Sequence, residues 1–216
     1  MSHELIVDPR VFPPTSQPSY KSYSDWAIEW WQWAFSIPKA IHPLLDLTGD
    51  YSEVYQMKQH ERPVWFLAGS YSGRPANRTC TIPHTKPIFF PVCSAVSNDL
   101  LLPKITGMPL DLSGGAKYLA DHIVEANVIL DGYPIKTEVY RVSSPIFPIQ
   151  LPYDNLLDIE VPVGTCKKAN AATDGFWLML KPLSIGVHQL QIRGKMKLPD
   201  MPDPYVTEVT YELLVQ

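Results

Sequence analysis

The chain has 216 residues, 45% of them hydrophobic and only 19% charged, with a formal net charge of −4, 22 prolines and 11 glycines. A chain of this length buries roughly 70% of its unfolded surface, so it can hold a core without metal or disulfides, and disorder is excluded for most of its length. Proline stands at about twice its usual share of roughly 5% and costs a helix interior about 3 kcal/mol, and the few proline-free windows of helical length (19–37, 44–62, 110–133, 163–181 and 183–198) rule out an all-helical bundle.

Residues 1–23 carry four prolines and read as an extended N-terminal arm, laid over the domain or loose. Residues 24–216 read as one domain. Ser24 is the expected N-cap of a first helix, with Asp25 suited to its first turn. Trp26, Trp30 and Trp33 then fall at i, i+4 and i+7 beside Ile28, Trp31 and Phe35, and Pro38 ends the run. From Arg62 the period becomes that of strands. Val64–Ala68, Thr79–Ile82 and Ile88–Val92 are β-branched and aromatic runs separated by Gly, Pro and Asn.

Ser113-Gly114-Gly115 introduces a short second helix whose Ala116, Leu119, Ala120 and Ile123 share a face. Asn127–Leu130, Asp131-Gly132 and Ile135–Val142 spell a hairpin, because Asp-Gly suits a two-residue left-handed turn. Phe176–Leu180 is apolar on both faces and belongs near a sheet centre. In Val187–Arg193, His188, Leu190 and Ile192 share one face and Gln189, Gln191 and Arg193 the other; Tyr205–Val215 alternates likewise. Eight or nine strands with one or two helices predict a mainly β fold. The expected form is a β-sandwich, jelly-roll or Ig-like, with an N-terminal Trp-rich helix and one short accessory helix.

No basic run exceeds Lys167-Lys168, so nucleic acid is not an expected partner. No stretch approaches 18 apolar residues, so no spanning helix is expected. The first ten residues lack a basic segment followed by an apolar core, which makes the cytoplasm the expected location, or the exterior if a leader has been removed. Cys80, Cys93 and Cys166 form no C-x-x-C pair and are expected as free thiols, with a Cys80–Cys93 disulfide as the alternative. Neither a cofactor nor a metal is expected.

Several segments, in order from about residue 26 to the end, resemble a family of uncharacterised bacterial proteins. They include Trp30-Trp31-Gln32-Trp33, His42-Pro43 with Asp46-Leu47-Thr48-Gly49, Pro63 to Gly69, Arg78 to Pro83, Lys86 to Val92, Asp174 to Trp177 and Gly186-Val187-His188. The resemblance implies a shared fold and a shared site, and it carries no catalytic assignment. Two loops depart from the pattern: His84-Thr85 stands where a glycine is expected before Lys86, and Lys58 to Arg62 is unusually charged.

Three groups of residues suggest chemistry. Trp30 and Trp33, with Tyr51 or Trp65, form a stacking surface for a sugar or flat ligand in one reading; in the other the tryptophans plug the end of the sandwich, where burial of roughly 150–250 Å² each explains them. The polar loop His42, Asp46, Thr48-Gly49, Glu53 and Gln56 suits general acid–base work or a metal, or a turn in which Asp46 accepts the N–H groups of Thr48 and Gly49. Arg78, His84 and Lys86 suit a carboxylate or phosphate, or are exposed turn residues. His188 reads as a core histidine. Asp154, Asn155, Asp158 and Glu160 read as a solvated turn rather than a calcium loop.

No Gly-x-Ser-x-Gly, phosphate-binding glycine loop or dinucleotide fingerprint is present. The expected function is therefore a non-enzymatic binding or interaction domain. Its aromatic surface near the Trp-rich helix (Trp30, Trp33, Tyr51, Trp65 and Lys86) would engage a small molecule, glycan or protein partner. The alternatives are a small hydrolase or isomerase using His42, Asp46, Arg78 and His84 in a pocket at one end of the sandwich, and a self-assembling homo-oligomer using edge strands and the arm. The enzyme reading requires two of those side chains to meet within about 6 Å inside a concavity.

Overall fold

The computed structural model describes residues 8–51, 59–101, 111–199 and 201–216. Glu53 and Gln56 of the polar loop lie outside the described residues. The first helix, α1 (Tyr23–Phe35), is capped by Ser22 and not by Ser24. The Ser22 hydroxyl accepts the Asp25 N–H at 3.2 Å while the Asp25 carboxylate accepts the Ser22 N–H at 3.0 Å, a reciprocal box that satisfies two otherwise orphaned donors. Ser24 lies inside the helix, and its hydroxyl donates to the Ser143 carbonyl instead.

The second helix, α2 (Leu112–Asp121), is capped by the Asp111 carboxylate on the Gly114 N–H. It buries Leu112, Ala116 and Ala120. Ile123 is not on its face, because the chain has by then turned into a strand.

Among the described residues the chain is mainly β: β1 (Trp65–Phe66), β2 (Ala76–Ile82), β3 (Ile88–Asn98), β4 (Ile123–Leu130), β5 (Tyr133–Ile135), β6 (Arg141–Ser143), β7 (Phe147–Pro152), β8 (Cys166–Leu180), β9 (Gly186–Met196) and β10 (Tyr205–Val215). They form two mixed sheets. The first runs β1-β3-β8-β6, with β7 also paired to β8; the second runs β2-β10-β9-β4-β5. Pairing is antiparallel except for β1 with β3 and β2 with β10. The proline in mid-β3, Pro91, has no N–H for the ladder, and the β3–β8 register shifts between Pro91 and Cys93.

Asp131 and Gly132 make the expected hairpin turn with φ of +53° and +80°. The run 135–142 is not one strand: Thr137 to Tyr140 forms a turn closed by the Tyr140 N–H on the Thr137 carbonyl. Its two ends, β5 and β6, therefore enter different sheets.

The arm, from residue 8, is laid over the domain. Val11 bridges Leu180, the Phe12 N–H donates to the Met179 carbonyl, and the Lys181 N–H donates to the Arg10 carbonyl. Arg10 then reaches the hairpin of the second sheet, donating to the carbonyls of Leu130, Tyr133 and Pro134 while its Asp8 partner holds the guanidinium.

One hydrophobic cluster holds α1 and the inner faces of both sheets together. Trp177 of β8 lies at its centre, stacked on Phe89 (5.3 Å, 7°) and met edge-on by Trp30 at 5.5 Å. Leu190, Ile192, Val209 and Leu213 bring the second sheet into the same cluster. No disulfide joins Cys80 and Cys93, which are both buried. No described helix is long and apolar enough to cross a membrane.

The two sheets approach closely where β9 passes β3: a Cβ added to Gly194 would stand 2.5 Å from the Cys93 Cβ and 2.7 Å from the Val92 carbonyl oxygen. Gly194→Ala is therefore expected to destabilise the fold by about 1–3 kcal/mol through overpacking, read as a lower urea midpoint at unchanged slope.

Candidate functional site

The loop after α1 folds onto the edge strand β2 through a buried arginine. Alternation in β2 turns Asn77 and Thr79 outward and Arg78 inward, where it is 2% exposed. Its Nε and Nη2 donate to the Asp46 carbonyl (2.9 and 2.6 Å), and its Nη1 donates to the carbonyls of Ala68 and Gly69 and to the Tyr211 hydroxyl (2.9, 2.9 and 2.8 Å). Register brings that last partner into place, since Tyr211 of β10 lies beside Arg78 in the parallel ladder. The tyrosine passes its own proton to the Ala68 carbonyl at 2.8 Å, and burial raises its pKa, so it stays neutral.

Asp46 shapes the loop that reaches the arginine. Its Oδ1 accepts the N–H groups of Thr48 and Gly49 and its Oδ2 that of Tyr51. Burial pushes this carboxyl up, but those three N–H groups and the Arg78 charge outweigh it, and the pKa is lowered. Gly49 adopts φ +93°, and a Cβ there would meet the Arg78 Cα at 3.1 Å.

His42, 1% exposed, donates from Nε2 to the Ala34 carbonyl at the end of α1 and accepts the Leu44 N–H at Nδ1. Burial holds its pKa down at about 4, with the Arg78 charge adding to the effect. It is a neutral structural histidine.

The proposed catalytic set is thus only partly brought together. Asp46 and Arg78 touch, but through a backbone carbonyl and inside the protein. His42 is committed to backbone groups, and His84 lies elsewhere, its backbone N–H and Nδ1 both on the Gln216 carbonyl. Lys86 donates to the carbonyls of Gln59 and His60 and sits 5.7 Å from the Trp65 ring. The anion-binding grouping of Arg78, His84 and Lys86 therefore does not form.

The aromatic surface is closed as well. Trp30, Trp33 and Trp65 are 1%, 7% and 0% exposed, and Trp30 gives its N–H to the Leu67 carbonyl; only Tyr51 is exposed. What opens beside Trp30 and Trp31, next to Cys93 and Tyr205, is a slot of about 40 Å³. That holds a few waters, whereas ligand pockets run to roughly 300–1,000 Å³. Near residue 155, the Asp154 carboxylate accepts the Ala40 N–H and Asn155 bonds the backbone of its own turn.

A larger concavity, about 500 Å³, lies on the outer face of the second sheet. Asn77 and Thr79 of β2, Thr210 and Glu212 of β10, and Val187 and Gln189 of β9 line it, with Asp131 and His188 at one end. The register pairs Thr79 with Glu212 and Glu212 with Gln189, so three adjacent strands present one row of polar groups. Among the described residues the Glu212 carboxylate has no hydrogen-bond or ion-pair partner. His188, whose alternation suggests a core residue, instead joins Asp131 through Nδ1 at 2.7 Å.

Ser184 Oγ lies 3.2 Å from the other ring nitrogen, which gives Ser, His and Asp the order of a nucleophile relay. The same nitrogen is closer, at 2.9 Å, to the Ser184 carbonyl, which accepts its N–H in the imidazolium, so that form has no lone pair to activate the hydroxyl. Sequence alternation marks the outward faces of β9 and β10. That β2 lies against β10 has no local signal.

No protein family, curated protein or solved structure is found to match the chain.

Two outcomes follow from the buried groups. Arg78→Met takes from the buried Asp46 and Gly69 carbonyls the donor that Arg78 gives them and is expected to cost about 3 kcal/mol or more in chemical denaturation, with Arg78→Lys recovering little. Because the folded pKa of His42 is held near 4, below the ordinary 6.5, its contribution is full above pH 6.5 and falls as the pH drops towards 4. That loss amounts to about 3 kcal/mol, and stability measured across this window should flatten in His42→Gln.

Proposed function

We propose that the two sheets face one another as a β-sandwich and that the chain is a non-enzymatic binding domain whose ligand seat is the concavity on the outer face of the second sheet. The close approach at Gly194 and the core shared by both sheets support the sandwich. The parallel edge pairs distinguish it from an all-antiparallel jelly roll or Ig-like sandwich. The observation that carries the binding reading is the 500 Å³ volume faced by side chains from three laddered strands. Such a seat is rigid before the ligand arrives, which lowers the ordering cost of binding.

The chemistry of the seat favours a neutral, hydroxyl-rich small molecule of the saccharide class. Asn77, Thr79, Gln189 and Thr210 both donate and accept, and Glu212 accepts from paired hydroxyls. Among the described residues the cations lining it are His188, whose charge Asp131 faces, and Arg78, whose guanidinium is spent on the inner side, so a phosphate or carboxylate finds no unpaired counter-charge. Self-assembly draws little support from the edges: β1, β5 and β6 have two, three and three residues, β2 gives its Asn77 N–H to Leu47, and β7 carries Pro148 and Pro152, with Gln32 of α1 donating to the Pro148 carbonyl.

Calorimetric titration with neutral mono- and oligosaccharides is expected to give a Kd in the roughly millimolar to micromolar range. Glu212→Ala should weaken binding by about tenfold or more with an unchanged melting temperature. A Glu212→Ala protein that binds as well as the parent, or a parent that binds no neutral saccharide, overturns the reading.

A further inference from the structure

We infer that His188 is a proton-operated clasp at one end of the concavity, closing it at mildly acidic pH and releasing it as the pH rises. The effect on ligand rests on the binding reading above; the clasp itself does not. Three segments meet at this ring: the β4–β5 turn through Asp131, the connection from β8 to β9 through Ser184, and β9, which carries the histidine. Nδ1 faces the Asp131 carboxylate at 2.7 Å and Nε2 faces the Ser184 carbonyl at 2.9 Å. Both partners are acceptors. A neutral imidazole has one N–H and can satisfy only one of them, whereas the imidazolium satisfies both.

The charged and titratable surroundings favour the imidazolium. Asp131 faces it from the turn. Arg10 of the arm stands behind Asp131, held by Asp8 and by the hairpin carbonyls, with Lys181 near Asp8. From β10 the cross-strand partner is the apolar Leu213, with Glu212 next to it in the concavity. Burial opposes the charge on His188, but the Asp131 carboxylate and the Ser184 carbonyl outweigh it, and the pKa is raised above 6.5.

The second oxygen of Asp131 accepts the Gln189 N–H at 2.9 Å, so the clasp also positions the residue that turns its amide into the seat. On deprotonation Nδ1–H stays with the carboxylate, and Nε2 presents a lone pair to the Ser184 carbonyl. The carbonyl contact is lost and only the longer contact to the Ser184 hydroxyl, at 3.2 Å, can take its place, which loosens the connection carrying the exposed Ile185 and Val187. The sign follows from the raised folded value: closure is complete below pH 6.5 and is lost as the pH rises through the pKa of His188 itself. Each unit by which that value exceeds 6.5 changes the closed-to-open ratio about tenfold.

The test is an NMR titration of the full chain with amide-exchange protection factors at Gln189 and in the 130–135 hairpin. Expected are a His188 pKa above 6.5 that returns to about 6.5 or below in Asp131→Asn, and protection that falls above that pKa in the parent but not in His188→Gln. A His188 pKa at or below 6.5, or the same pH dependence in His188→Gln, overturns the clasp. With a neutral saccharide that binds at pH 6, affinity should drop at pH 8 in the parent and not in His188→Gln. Affinity indifferent to both overturns the gating and leaves the seat standing. If no saccharide binds, the binding reading fails while the protection factors still decide the clasp.

Discussion

A guanidinium does not shed its charge inside a protein, so burying Arg78 obliges each neighbouring segment to turn an acceptor towards it. Asp46 of the loop after α1, Ala68 and Gly69 of the connection after β1, and Tyr211 of β10 all do so. The arrangement explains features that look independent: the left-handed Gly49, the Asp46 turn and the neutral Tyr211 packed under the charge. It also ties β2 to β10 across more than a hundred residues of chain. The pairing that satisfies Arg78 on the inner face sets Asn77 and Thr79 beside Thr210 and Glu212 on the outer face, because successive side chains of a strand point to opposite sides. Core and concavity are two faces of one ladder.

The aromatic excess serves the other half of the molecule. Trp26, Trp30, Trp31 and Trp33 are buried against the first sheet, and three of their indole N–H groups find oxygen partners, at Pro18, Leu67 and Thr173. An indole buries much apolar area but carries a polar edge, so it suits a helix that must dock on a sheet and fix its position at the same time. That is why a stripe of tryptophans resembles a binding platform in the sequence and acts as a seam in the fold.

Much of the local structure was legible. The span of α1 followed from its periodicity, the Asp131-Gly132 turn from its dipeptide, and the Asp46 turn from the order Asp, Thr, Gly. The errors were also local in cause. Ser22 outcompeted Ser24 as cap because only Ser22 stands three residues before an acidic side chain. The run 135–142 is broken because its middle makes a turn and its ends serve different sheets. The candidate site was less legible. Arg78 reads as a surface charge, and only the carbonyls supplied by distant segments make its burial tolerable. His188 reads as a core residue because its strand face is apolar, yet it lies at the strand end, where the hairpin turn delivers Asp131.

The sequence alone determined that this is a mainly β chain with a Trp-rich capped helix, a tight Asp-Gly hairpin and strands with one polar face. Each of these depends on residues within a few positions of one another. The tertiary structure alone decided which polar face meets which, that the tryptophans are enclosed, that a charged arginine is interior, and that the open volume lies on the outer face of the second sheet. Those outcomes depend on strand order and register between segments far apart in the chain, and no local preference encodes them.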